Sequence, residues 1–281
     1  GGTAANYDTL YADWSAATAA ITWSSGVTTA QVLNGVSVSG VERLLVRLGA
    51  GADSITNTNN TGDNIYAGAG NDTVSLGAGA NIIDGGAGTD NLKVADSANW
   101  SELSGGIGND VLQGARGNYD GGDGTDELKA NLVGLSSYGN DNYNNGLHYR
   151  NGAGTVLSHG SNVETIETFL SNANNQIEVY NGSYDAGRRE YQLASWQNIE
   201  KMSVTGTNQT GDYEGNDLLM VVGAGGTYNG GTAANYDTLY ADWSAATAAI
   251  TWNSGVTTAQ VLNGVTVSGI ERLLVRLGAG A

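Results

Sequence analysis

Five acid or amide positions, Asp53, Asp63, Asp72, Asn81 and Asp90, follow one another at intervals of 10, 9, 9 and 9 residues. Around them recurs a seven-residue pattern, Gly-x-Gly-x-Asp-x-apolar. It is complete in Gly49-Ala50-Gly51-Ala52-Asp53-Ser54-Ile55, Gly68-Ala69-Gly70-Asn71-Asp72-Thr73-Val74 and Gly86-Ala87-Gly88-Thr89-Asp90-Asn91-Leu92. Asn59-Asn60-Thr61-Gly62-Asp63-Asn64-Ile65 keeps the acid and the apolar residue but loses both leading glycines. Gly77-Ala78-Gly79-Ala80-Asn81-Ile82-Ile83 puts Asn where the acid belongs. Carboxylates stacked at the spacing of neighbouring strands, about 4.8 Å, repel one another unless a cation sits between them. Oxygen donors suit a hard ion, and no His or Cys is placed to hold a softer one.

The elements that must position these acids follow from the same spacing. Glycines allow the backbone to turn back tightly, and a three-residue strand after each turn directs its middle side chain inward. Ile55, Ile65, Val74, Ile83 and Leu92 are then expected to stack as a core. Two nine-residue half-turns make one coil. Asp53, Asp72 and Asp90 are therefore expected along one edge, with Asp63 and Asn81 along the other.

In these residues the chain resembles the calcium-binding RTX family, whose nonapeptide is Gly-Gly-x-Gly-x-Asp-x-large-x. The best matches are Gly85 to Leu92, Gly105-Gly106-Ile107-Gly108-Asn109-Asp110-Val111-Leu112 and Gly121-Gly122-Asp123-Gly124-Thr125-Asp126-Glu127-Leu128. The resemblance implies an all-β fold: a right-handed parallel β-roll or β-solenoid with calcium-binding turns, here interrupted by antiparallel β insertions. It implies several Ca2+ ions held by Asp8, Asp53, Asp63, Asp72, Asp90, Asp110, Asp126, Asp217 and Asp237. Backbone groups of Gly49, Gly51, Gly68, Gly70, Gly86, Gly88, Gly106, Gly108, Gly122 and Gly124 are expected to complete these sites. Type I secretion, to the extracellular space or the bacterial cell surface, is also implied, with the export signal expected outside these residues.

Composition agrees with a turn-rich chain. The 281 residues include 44 Gly, no Pro, no Cys and one Phe, which describes many tight turns and no conventional aromatic core. The net charge of −17, from 28 acids against 11 bases, argues against nucleic acid as a partner and makes divalent cations the natural complement. No apolar run approaches the roughly 18 residues of a membrane span, so no membrane insertion is expected.

A second signal is internal repetition. Residues 1–52 and 230–281 are nearly one sequence at an offset of 229, differing at Ser24/Asn253, Ser37/Thr266 and Val41/Ile270. A long tandem array follows, each unit contacting its neighbours. Along one period the expected organisation is a β insertion and entry to the roll at 1–52, calcium-binding roll at 53–128 and an irregular β insertion or surface lobe at 129–200. Resumed roll follows at 201–229 and the next repeat at 230–281. Asn34-Gly35 between two apolar runs signals a hairpin. The phrase Val41-Glu42-Arg43-Leu44 recurs as Ile166-Glu167-Thr168-Phe169, Ile199-Glu200-Lys201-Met202 and Ile270-Glu271-Arg272-Leu273, each read as an entry into a roll module. Its Glu is read as solvated or hydrogen-bonded. Residues 93–104 are expected to form a side loop, and Asn175, at an acid position, a lost site.

No catalytic constellation stands out. His148 and His159 lack the spacing of a zinc helix, and nucleophile elbow, phosphate loop and dinucleotide fingerprint are absent. The chain is therefore expected not to be an enzyme but a rigid extender in a giant secreted adhesin or fibre, its partners the adjacent copies of the same repeat. If most of the 229-residue period were roll, it would advance about 60 Å. One alternative makes residues 129–200, rich in Tyr138, Tyr143, Tyr149, Tyr180, Tyr184 and Tyr191, a lobe for glycan or neighbouring fibres. Another makes the roll an appendage of a secreted enzyme.

Overall fold

The computed structural model describes residues 7–96, 99–132, 147–151, 156–158, 160–171, 177–182, 190–206, 216–231, 236–254, 256 and 258–279. Two compact units meet between Lys129 and Ala130.

In the first unit the chain alternates between two parallel sheets. The strands are β1 (Thr9–Asp13), β2 (Thr22–Ser24), β3 (Gln31–Leu33), β4 (Val36–Val38), β5 (Arg43–Arg47), β6 (Ser54–Asn57) and β7 (Asn64–Ala69). There follow β8 (Thr73–Leu76), β9 (Ile82–Ala87), β10 (Asn91–Val94), β11 (Ser101–Ile107), β12 (Val111–Gly114), β13 (Gly117–Asp123) and β14 (Glu127–Asn131). One face runs β1-β5-β7-β9-β11-β13, the other β2-β6-β8-β10-β12-β14. Each coil thus contributes one strand to each face, as the nine-residue half-turn requires, and the structure is a parallel β-roll.

The register explains why the period is so strict. On one face Val46 pairs with Ile65, Ile65 with Ile83, Ile83 with Leu103 and Leu103 with Tyr119. On the other, Trp23 pairs with Ile55, Ile55 with Val74, Val74 with Leu92 and Leu92 with Leu112. All of these side chains are buried, as the expected stack of Ile55, Ile65, Val74, Ile83 and Leu92 demands. A slip of one residue would turn every inward side chain to solvent. From β5 to β14 the roll strands are longer than three residues, and several send two side chains inward: β8 buries Val74 and Leu76, β10 Leu92 and Val94.

Residues 1–52 enter the roll earlier than expected. β1, β2 and β5 already belong to its faces, and the hairpin β3–β4 stands outside them. Asn34 and Gly35 both take positive φ, 44° and 79°, the primed turn that Asn-Gly favours. The side loop expected at 93–104 is shorter, because β11 opens at Ser101 and pairs with β9 and β13.

The second unit is mixed. β15 (Leu147–Asn151), β16 (Val156–Leu157), β17 (Ile177–Gly182) and β18 (Glu190–Gln197) pair antiparallel in the order β18-β17-β15-β16. These strands lie within 129–200, the expected insertion, and their antiparallel pairing sets them apart from the roll. Roll-like parallel pairing returns in β19 (Lys201–Thr205), β20 (Leu218–Met220), β21 (Thr227–Asn229) and β22 (Thr238–Trp243). β24 (Val265–Ser268) and β25 (Arg272–Leu277) extend it by pairing with β21 and β22, while β23 (Gln260–Leu262) forms an antiparallel hairpin with β24.

Ile166-Glu167-Thr168-Phe169 is not an entry into a strand. It lies in a helix, α1 (Val163–Ser171). Asn162 caps that helix by accepting the Thr165 amide at 2.9 Å, and Ile166 and Phe169, three apart, share its buried face. The Ile-Glu-x-apolar phrase alone carries no strand signal. Ser37, Ser195 and Thr266 stand at the same place before the other three phrases, so a cap residue alone does not separate helix from strand either.

Candidate metal centre

The acids fall on the two edges assigned by their spacing. Before each strand of the β6-β8-β10-β12-β14 face stands an Asp whose Oδ1 accepts the backbone N–H of its counterpart one coil earlier. Asp53 N–H donates to Asp72 at 2.7 Å, Asp72 to Asp90 at 2.7 Å, Asp90 to Asp110 at 2.7 Å and Asp110 to Asp126 at 2.8 Å. Ile21 N–H donates to Asp53 at 2.6 Å. One carboxylate oxygen per turn is therefore spent on holding coil to coil.

The second oxygen is the chemically significant one. Oδ2 of Asp53, Asp72, Asp90 and Asp110 is buried with no hydrogen-bond partner. A carboxylate oxygen in that state costs several kcal/mol unless a cation or donor meets it. Burial accordingly raises the pKa of all four. Asp72 is pushed up to about 6, first by burial and then by the charge of Asp53. Asp90 also reaches about 6, by burial and by Asp72, Asp110 and Asp84.

The turns that carry these acids are built for close stacking. Gly68, Gly70, Gly86, Gly88, Gly106, Gly108, Gly122 and Gly124 all have φ between +94° and +152°, a region side chains rarely adopt. A Cβ on Gly86 would collide with Gly68 O, one on Gly106 with Gly86 O, and one on Gly122 with Gly106 O. Gly49 and Gly51 lack the positive φ, but a Cβ there would strike the backbone of residues 17–20. The leading glycine of the nonapeptide has its own reason: a Cβ on Gly85 or Gly105 would run into Oδ2 of Asp90 or Asp110. Gly85 and Gly105 were legible as motif glycines, yet their role of making room for the acid is visible only in the fold.

No three His, Cys, Asp or Glu side chains converge on one point among the described residues. With one acid per turn, the remaining donors would be neutral oxygens, backbone carbonyls above all, with water. Calcium accepts that mixture, because it takes 6–8 oxygen ligands in flexible geometry. Orphaned buried carboxylate oxygens, together with turns from which side chains are excluded, fit such an ion.

The opposite edge is made differently. Leu44 N–H donates to Asp63 Oδ1 at 2.8 Å, Asp63 N–H to Asn81 Oδ1 at 2.8 Å, and Asn81 N–H to Ser101 Oγ at 3.3 Å. Asp63 is buried, and its other oxygen accepts from Asn57 Nδ2 at 2.9 Å. Its pKa rises to about 6 because burial outweighs the hydrogen bonds from Leu44, Asn57 and Thr61 and the charge of Arg43. Glu42 occupies the rung before Asp63, accepting the Asp8 N–H at 2.9 Å. Of the two roles read for the Glu of the recurring phrase, solvated or hydrogen-bonded, Glu42 takes the second. The roles of Asn57 and Arg43 at this edge were not read from the sequence: neither sits in the glycine pattern, and Arg43 entered only as part of the recurring phrase.

In the second unit Leu147 N–H donates to Asp217 at 2.8 Å, Asp217 N–H to Asp237 at 2.8 Å and Asp237 N–H to Glu271 at 2.9 Å. Asp217 and Asp237 are buried, and Asp237 is pushed up to about 9 by burial, by Asp217 and by Glu271. Asp8, the first-copy counterpart of Asp237, is half-buried. Asn175 lies outside the described residues.

Residues 57–92 match the family model described as RTX calcium-binding nonapeptide repeat, in four copies. RTX nonapeptide repeats bind Ca2+. No curated protein and no solved structure matches the chain.

Proposed function

We propose that this chain, whose residues 57–92 are RTX calcium-binding repeats, is a structural tandem unit. It acts as a rigid extender in a secreted or cell-surface adhesin or fibre and has no catalytic role. The observation that carries this reading is the behaviour of the duplicated segment. β1 pairs with β5 from Thr9↔Arg43 to Asp13↔Arg47, and β22 pairs with β25 from Thr238↔Arg272 to Asp242↔Arg276, each pair 229 residues on. The hairpins repeat too, Gln31↔Val38 and Gln260↔Val267, with Asn34 and Asn263 at φ 44° and 47°.

What differs is the cover. In the second copy β22 also pairs with β20, and Tyr240 is 2% exposed. In the first, β1 has β5 as its partner among the described residues, and Tyr11 is 77% exposed. Likewise β24 pairs with β21 and buries Val265 to 1%, whereas its counterpart Val36 is 48% exposed. A strand edge and apolar face that one copy covers with the end of the preceding period is a surface made for a neighbour in series.

The test is solution scattering of chains holding one to four periods. The largest dimension in millimolar calcium is expected to grow linearly, by no more than about 60 Å per period, and this growth to vanish on chelation. A dimension that saturates with copy number, or ignores calcium, would sink the extender reading.

A further inference from the structure

We infer that between Glu42 and Ser101 the edge of the roll carrying Asp63 and Asn81 is closed by side-chain N–H groups in place of metal, so that the two edges of one roll use different chemistry. The contrast rests on calcium occupying the Asp53 to Asp110 edge. On that edge each Oδ2 is buried and unpartnered. On this one, the oxygens that would face an ion already accept hydrogen bonds.

Asn81 Nδ2 donates to Gly77 O at 2.8 Å and to Gly79 O at 2.9 Å, the carbonyls of its own glycine turn. The amide orientation is fixed, because its Oδ1 accepts the Asp63 N–H. One coil away, Asn57 Nδ2 donates to Asp63 Oδ2 at 2.9 Å and to Glu42 O at 2.8 Å, and Thr61 Oγ1 donates to the same Glu42 carbonyl at 2.9 Å. Positive charge is resident as well: Arg43 Nε donates to Gly62 O at 2.8 Å. An NH2 group spanning two oxygens does locally what a cation would do, but it cannot leave when calcium is removed.

Glycine conformation does not by itself mark the edges: the turns before Asp72, Asp90 and Asp110 hold paired positive-φ glycines, but Gly49 and Gly51 before Asp53 lack them just as Gly77 and Gly79 do. An ion placed here would have to displace satisfied donors and gain at most one carboxylate, a poor exchange for a hard cation.

The test is a calcium-loaded crystal of the full chain, with anomalous scattering used to place the ions, alongside ion counting by native mass spectrometry. Density is expected beside residues 68–72, 86–90 and 106–110 and none beside 57–63 or 77–81. Asp63→Asn and Asn81→Ala should retain the unsubstituted number of ions, while Asp72→Asn and Asp90→Asn should each lose at least one. A peak between Gly77 O, Gly79 O and residue 81, or an ion lost in Asp63→Asn, would overturn the assignment. Ions at neither edge would overturn it together with the calcium reading, whereas ions at both would overturn it alone. The crystal needs no variant, so the outcome stands even if a substituted chain fails to fold.

Discussion

At the residue scale, the decisive feature is a carboxylate with one oxygen committed and one not. Removing the charge while keeping the shape separates the two tasks. Asn at position 72 or 90 can still accept the N–H of the previous coil through Oδ1, yet its other atom becomes a donor that repels a cation. Asp72→Asn and Asp90→Asn are therefore expected to shift the calcium midpoint of folding upward at least several-fold, as followed by far-UV circular dichroism; an unchanged midpoint would remove both residues from the ligand set. The same carboxylates set a pH dependence. Their folded pKa, about 6, lies above the ordinary 3.8, so the metal-free folded chain holds protons more tightly than the unfolded one. That contribution is fully present below 3.8 and is lost as pH rises through about 6. Calcium-depleted protein is thus expected to gain strand signal on acidification from pH 7.5 to 4.5, and calcium uptake at pH 6 to release protons. Calorimetry in buffers of different ionisation heat measures the release.

At the element scale, the coil was legible because its period is written twice, in acids and in inward apolar residues. The pairs Ile55↔Val74 and Val74↔Leu92 follow from those intervals alone. The Asn-Gly hairpin was legible for the same reason, a local pattern with a local cause. What the intervals did not disclose were features fixed by contacts distant in sequence. Asn57 reaches the Glu42 carbonyl only once the coils are stacked, and α1 borrows a phrase that elsewhere begins strands. Glycine is where element and residue meet most tightly. Gly88 has φ +149°, and a Cβ there would overlap Gly70 O. Gly88→Ala is expected to destabilise the calcium-loaded roll by at least about 2 kcal/mol, since both backbone conformation and stacking are strained. Ala at Gly35, which also has positive φ but no atom within 4 Å, should cost only about 1 kcal/mol, the conformational part alone. Equal losses at the two sites in chemical denaturation would mean that coil stacking contributes little.

For the whole molecule, the extender reading makes the sum of weak sites decide whether there is a fold at all. Extracellular calcium modules bind with dissociation constants of about 10⁻⁴–10⁻³ M, and a site at tenfold saturation adds about 1.4 kcal/mol. Four such turns add about 6 kcal/mol, comparable with the entire stability of an ordinary domain. At submicromolar calcium that sum nearly vanishes, which under the extender reading keeps the chain unfolded until export. Under the same reading tandem arrangement supplies the rest, because at the one junction in this chain β20 and β21 of the first period cover strand edges of the second. Identical residues then make the sharpest comparison: Tyr11 and Tyr240 share a sequence context but are 77% and 2% exposed. Tyr240→Ala is expected to cost about 3 kcal/mol, within the range for a buried aromatic, and Tyr11→Ala less than about 0.5 kcal/mol. Adding a full preceding period ahead of Gly1 should bring the cost at Tyr11 up to that at Tyr240, because a second copy of Leu218–Met220 would then pair with β1. Denaturation of the two alanine variants in one-period and two-period chains measures this, and a Tyr11 cost that stays near zero in the longer chain would mean that successive periods do not share a roll.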